Sequence, residues 1–150
     1  MLPLRKDLPM KTRITVATFA LAALSLAGCS TASTFETAIV ASVSAAEGGP
    51  FTLSSLDEVK GEAFLVVCPY ESQESVDERL GFSWRDAPDY AQSDDRQTVA
   101  IIRGDDVVSS AELDRIDVDF CGAGSWTLLP VTSELAVEKS GDTFQVSPGN

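Results

Sequence analysis

The chain has 150 residues, of which 23 are acidic, 11 are basic and none is histidine, so its formal net charge is −12. Nucleic-acid binding, and polybasic contact with anionic lipid headgroups, both need an excess of positive charge, and this composition argues against them. The lack of histidine excludes Ser-His-Asp and Cys-His catalytic sets and every zinc site with histidine ligands.

Residues 1–28 have the layout of an export signal, in which a basic segment precedes an apolar one. The apolar segment covers 14–26 and is 13 residues long. A helix that spans a bilayer needs roughly 20 apolar residues, so this segment is typical of a removed signal rather than a permanent anchor. The basic residues that precede it are Arg5, Lys6, Lys11 and Arg13.

The apolar segment ends in Leu26, Ala27, Gly28 and Cys29, and a Ser/Thr-rich stretch follows. This pattern resembles the lipobox of bacterial lipoproteins, and the resemblance covers the signal segment alone. It implies cleavage between Gly28 and Cys29 and attachment of a diacylglyceryl group to the Cys29 thiol. Because each buried methylene contributes about 0.8 kcal/mol, two or three acyl chains hold a protein firmly. We therefore expect the outer face of the cell membrane as the location, with the bilayer as a partner.

Cleavage before Cys29 leaves 7 basic and 22 acidic residues, a net charge of −15 over 122 residues. Residues 29–50 are rich in Ser, Thr and Ala and are predicted to be the lipidated tether. As a flexible coil of about 20 residues, it would reach roughly 25 Å from the membrane. A short helix over 35–46 that docks on the domain or lies on the membrane is the alternative, because apolar residues recur every four positions after a capping-box pattern. These residues are Phe35, Ile39 and Val43, preceded by Ser33 and Glu36.

Residues 51–150 are predicted to form a single acidic domain, since about 100 residues support one modest core. An unbroken apolar run over 62–70 predicts a central, buried strand. The helical pattern of 71–81 predicts a short helix that ends at Gly81. The segments 98–110 and 134–146 each predict a hairpin, because two apolar runs flank a Gly-Asp turn in both.

Apolar residues alternate with aspartates over 114–121, which predicts a half-buried strand with Asp117 and Asp119 on its solvent face. Pro130 interrupts a later apolar run and predicts an edge strand or a bend. Most connections are short, so we expect an α+β fold: a small, mainly antiparallel sheet with one or two short helices.

The two cysteines that remain after lipidation of Cys29, Cys68 and Cys121, are predicted to form a disulfide in an oxidising compartment. A redox-active or metal-binding pair would need a close second cysteine or a histidine, and the sequence offers neither. A calcium loop beginning at Asp117 fails, since its twelfth position is Leu128 instead of Glu. We therefore predict no metal site and no cofactor.

Aromatic residues at predicted strand ends and loops are the remaining candidates for ligand binding: Tyr70, Phe82, Trp84, Tyr90 and Trp126. In a short chain such residues more often belong to the core, so a binding patch requires Trp84 and Trp126 to be exposed and adjacent. The leading hypothesis is a lipid-anchored envelope protein whose non-enzymatic domain binds another envelope protein or a small ligand. Two alternatives stay open: a carboxylate-dependent hydrolase, which needs two convergent acids with raised pKa values, and a structural spacer without a ligand.

Overall fold

The computed structural model describes residues 33–124 and 126–149. The predicted signal segment, its cleavage position and Cys29 lie outside these residues. The described part contains two α-helices, and neither is long and apolar enough to cross a bilayer. Its elements are α1 (Thr34–Ala45), β1 (Pro50–Phe51), β2 (Ala63–Val67), α2 (Gln73–Leu80), β3 (Arg96–Arg103), β4 (Asp106–Asp114), β5 (Val118–Asp119), β6 (Leu129–Pro130), β7 (Leu135–Ser140) and β8 (Thr143–Pro148).

The strands form two four-stranded sheets. One has the order β1-β7-β8-β5, in which only the β5–β8 pair is parallel, and the other is antiparallel with the order β4-β3-β2-β6. The predicted α+β class is confirmed, with the strands divided between two sheets. Both predicted hairpins are present, β3–β4 and β7–β8, and Pro130 lies in the edge strand β6.

Both faces of β2 are buried, which explains its unbroken apolar run. Phe64 and Val66 point into the main core, where side chains from both sheets and α1 meet. Leu65 and Val67 point the opposite way and pack, in a second core, against the apolar face of α2. β2 lies between β3 and β6, so the predicted central strand is confirmed. The predicted helix is confirmed as well, and Gly81 ends it with a left-handed φ of 77°.

Helix α1 is part of the folded domain. Its residues Phe35, Ile39 and Val43 are buried in the main core. The capping box is formed: Ser33 Oγ accepts the N–H of Glu36, and the Glu36 carboxylate accepts the N–H of Ser33. The predicted tether over 29–50 and the domain start near Phe51 are therefore wrong from residue 34 onward. Burial of three apolar side chains outweighs the weak helix propensity of the Ser, Thr and β-branched residues around them.

The segment 114–121 also differs from its prediction. Asp114 ends β4, only Val118 and Asp119 form the short strand β5, and Asp119 is buried instead of facing solvent. Ile116, expected on the apolar face, is 72% exposed. Strict alternation fails here because the Asp119 carboxylate is neutralised inside the domain by Arg115, which alternation alone does not reveal.

Candidate functional site

The predicted disulfide between Cys68 and Cys121 is confirmed, with 5.7 Å between the two Cα atoms. Cys68 directly follows β2, and Cys121 follows β5 by two residues. The bond therefore ties the end of the central strand of one sheet to an edge strand of the other. The segments on either side of it form the candidate site.

On the Cys68 side, one carboxylate and one guanidinium hold three segments together. Glu71 Oε2 accepts the backbone N–H of Cys68 at 2.7 Å and a hydrogen bond from Arg79 Nη2 at 2.9 Å. Arg79, on α2, also donates to the carbonyl oxygens of Val66 and Trp126. Since Arg79 and Glu71 are largely shielded from solvent, these bonds position the chain around Cys68.

The Cys121 side repeats this arrangement with a second ion pair. Asp119 Oδ1 accepts the backbone N–H of Cys121 at 2.8 Å. Arg115 grips the same carboxylate with two hydrogen bonds, Nε to Oδ1 at 3.0 Å and Nη2 to Oδ2 at 2.9 Å. A further donor on Arg115, Nη1, bonds to the carbonyl of Asp94 at 2.8 Å. Each half-cystine N–H is thus bonded to a carboxylate that an arginine neutralises.

The pKa values of this second pair agree with that geometry. Burial raises the pKa of Asp119, but the hydrogen bonds from Arg115 and from the Cys121 N–H outweigh it and lower the pKa below its ordinary value. The hydrogen bond to Asp119 in turn raises the pKa of Arg115. Both groups are therefore charged at neutral pH, and neither is available as an acid or a base.

Tyr70 lies between Cys68 and Glu71 and has an unusual backbone. Its φ is 65°, and among the described residues it is the one non-glycine residue with a positive φ. Its N–H donates to the carbonyl of Tyr90 at 2.9 Å, and the N–H of Tyr90 donates to the carbonyl of Glu71 at 2.8 Å. These bonds hold the strained residue in place while its side chain stays 70% exposed.

A shallow, mainly apolar cleft of about 310 Å³ opens beside the disulfide. This volume is at the lower end of the range for ligand pockets, so it suits one ring or one side chain rather than an extended ligand. The residues that line it are Cys68, Pro69, Tyr70, Glu71, Arg115, Cys121 and Gly124.

The condition for an aromatic binding patch, that Trp84 and Trp126 are exposed and adjacent, is not met. Trp126 is 3% exposed and lies between the rings of Phe64 and Phe120, with centroid distances of 5.9 and 5.8 Å. Tyr90 is also buried: its hydroxyl bonds with that of Thr98 at 2.7 Å, and burial raises its pKa to about 12.

Trp84 packs, partly buried, against the second core rather than beside Trp126. Tyr70 was one of the aromatic candidates from the sequence, whereas Glu71 and Arg115 were not singled out. The i, i+4 spacing of Arg115 and Asp119 was a usable signal, whereas nothing local marks Tyr70 for a positive φ.

The arrangement offers no support for a carboxylate-dependent hydrolase, in which an acid needs a raised pKa. The pKa of Asp119 is lowered, and the pKa of Asp95 is lowered as well, mainly by a hydrogen bond from Ser93. Within the described residues no three Cys, Asp or Glu side chains converge on a metal-binding position.

Comparison of the chain with protein-family models, curated proteins and solved structures gives no match, so its function has to be inferred from its own residues and site.

Proposed function

We propose that this chain is an exported lipoprotein, held on the outer face of the cell membrane by a lipid on Cys29, whose non-enzymatic domain binds another envelope component in the cleft beside the disulfide. The lipobox-like residues Leu26, Ala27, Gly28 and Cys29 support the anchor. The observation that carries the binding role is Tyr70, an exposed aromatic residue on a strained backbone.

Strain at Tyr70 argues for a binding role over that of a spacer. A non-glycine residue in the left-handed region costs about 1–3 kcal/mol, and glycine would remove that cost. A protein that acts only as a spacer has no use for an exposed aromatic ring on a strained backbone. An interface does gain, because a rigid tyrosine supplies a large contact area with little loss of conformational entropy.

The cleft also limits the chemistry of its ligand. Arg115 and Glu71 are both paired inside the domain, so the cleft presents little free charge. Its apolar lining and small volume suit a single apolar or aromatic side chain of a partner protein. The mature chain as a whole has an expected net charge of −15, which favours a partner whose surface is neutral or basic.

The anchor is tested by detergent-phase partitioning and intact-mass spectrometry of the native protein. We expect wild type in the detergent phase, with a mass that begins at Cys29, includes a diacylglyceryl group and gains two hydrogens on reduction. Cys29→Ser should lose the lipid, while Thr31→Ser, a matched change nearby, should keep it. A wild-type chain that carries no lipid would contradict the proposal.

The binding role is tested at Tyr70 with two substitutions. Tyr70→Gly removes both the ring and the strain, whereas Tyr70→Ala removes only the ring. We expect the glycine variant to be the more stable by about 1 kcal/mol in urea unfolding, since an L-residue pays about that much in the left-handed region.

Both Tyr70→Gly and Tyr70→Ala should fail to bind the envelope component that wild type binds. A photo-crosslinking amino acid at position 70 should capture one envelope component in intact cells, and the same group at the exposed Leu128 should not. That component, once purified, should bind wild type but neither variant. Equal capture at both positions, or undiminished binding by Tyr70→Gly, would refute a role for the cleft.

A further inference from the structure

We infer that the domain lies against the bilayer through the surface beside the start of α1, with the Ile116 side chain in contact with the lipid headgroup region. This inference rests on the proposed lipidation of Cys29. It adds a partner, the bilayer itself, to the one proposed for the cleft.

The first argument is the length of chain between the lipid and the helix. Cys29 precedes the N-cap residue Ser33 by four positions, and an extended chain spans at most about 3.5 Å per residue. Their Cα atoms can therefore be no more than about 14 Å apart. Helix α1 is fixed on the main core by three buried side chains, so this short connection holds the domain itself, not a free tether, at the membrane.

The second argument is the surface found at that end of the helix. A shallow, mainly apolar depression of about 330 Å³ is lined by residues of α1 and by Asp117. The α1 residues in it are Glu36, Thr37, Val40 and Ala41. Asp117 therefore lies beside the first turns of α1, and its neighbour in the chain is Ile116.

Ile116 is rigidly presented there. Thr143 Oγ1 donates to the Ile116 carbonyl at 2.7 Å, and the Phe144 N–H donates to the Asp117 carbonyl at 3.0 Å. With its backbone tied to the start of β8 in this way, the Ile116 side chain is still 72% exposed. An isoleucine so exposed, near a helix that begins five residues after Cys29, is placed to meet the bilayer.

The charges at this surface determine which bilayer it fits. Glu36 and Asp117 line the depression, and no basic residue of the described part of the chain lines it. The surface is therefore acidic, which favours zwitterionic over anionic headgroups. A second copy of the chain would meet the same acidic residues across a symmetric contact, which disfavours that occupant.

We expect the contact with the bilayer to weaken as the anionic lipid fraction rises and to recover at high salt, because salt screens exposed charges.

The experiment uses the native lipidated protein, in which the thiol of Cys29 is acylated and Cys68 and Cys121 are bonded. Under those conditions Ile116→Cys introduces a single free thiol for an environment-sensitive fluorophore. Glu134→Cys is the matched control: Glu134 is exposed and lines a depression with Ala45 and Ala46 at the other end of α1. A 12-residue helix is about 18 Å long, and the two labels lie beside different parts of it.

In phosphatidylcholine vesicles we expect the label at 116 to shift to the blue, to brighten severalfold and to be quenched by nitroxide lipids, while the label at 134 stays unchanged. Intact mass of the same sample reports lipidation separately. A lipidated protein with no response at 116, or with equal responses at both positions, would overturn the bilayer contact and leave the proposed function standing. A native chain without lipid would overturn both.

Discussion

Replacing Cys68 and Cys121 together by serine is expected to lower the free energy of unfolding by about 4 kcal/mol. The bond closes a loop of 54 residues, since the two cysteines are 53 positions apart, and opening a loop of that length restores conformational entropy to the unfolded chain. A domain of this size has a total stability of about 5–15 kcal/mol, so the loss is a large share of it. Urea unfolding of the double variant and of oxidised wild type measures the difference.

Reduced wild type is the control for this prediction, because it opens the same loop without changing any side chain other than the two thiols. It should unfold at nearly the same urea concentration as the double variant. A difference below about 1 kcal/mol between oxidised wild type and the double variant would show that other contacts, such as the hydrogen bond from Arg79 to the Trp126 carbonyl, hold the two segments together unaided. The disulfide would then be dispensable for the domain, and the cleft would keep its shape without it.

The parts of the fold that follow from the sequence are those whose signals are local. The run over 62–70 indicates a strand buried on both faces, and each Gly-Asp pair between apolar runs indicates a hairpin. Docking of α1 is only an alternative at the level of the sequence, because its Ser and Thr residues weaken a helix. The burial of Phe35, Ile39 and Val43 that stabilises it depends on a surface built by distant strands.

The site was predictable only in part, for a related reason. The pairing of Cys68 with Cys121 follows from counting cysteines. The strained backbone of Tyr70, in contrast, is imposed by its hydrogen bonds with the Tyr90 region, and nothing near position 70 encodes them. Alternating aspartates usually indicate a solvent-exposed face, but Asp119 is buried. Its burial is possible because the guanidinium of Arg115 forms two hydrogen bonds with the carboxylate and offsets the cost of burying the charge.

Asp119→Asn should be the most damaging single polar substitution at the site, lowering the free energy of unfolding by about 3 kcal/mol at neutral pH. Removing one partner of a buried ion pair leaves the other charge uncompensated, and this typically costs 3–5 kcal/mol; because Arg115 keeps partial access to solvent, we expect the lower part of that range. Asp117→Asn is the matched control: the same change two positions away, on an exposed side chain, should shift stability by less than about 0.5 kcal/mol.

The pH dependence separates this ion pair from a simple packing defect. The pKa of Asp119 is lowered in the folded state, so its contribution is complete above the unfolded value of about 3.9 and is lost as the pH falls through the folded value. The gap in unfolding free energy between wild type and Asp119→Asn should therefore be constant from about pH 7 to pH 5 and narrow below about pH 4. A gap that persists unchanged at lower pH would assign the loss to the shape of the asparagine side chain, and Arg115 would then not be what keeps the Cys121 segment in place beside the cleft.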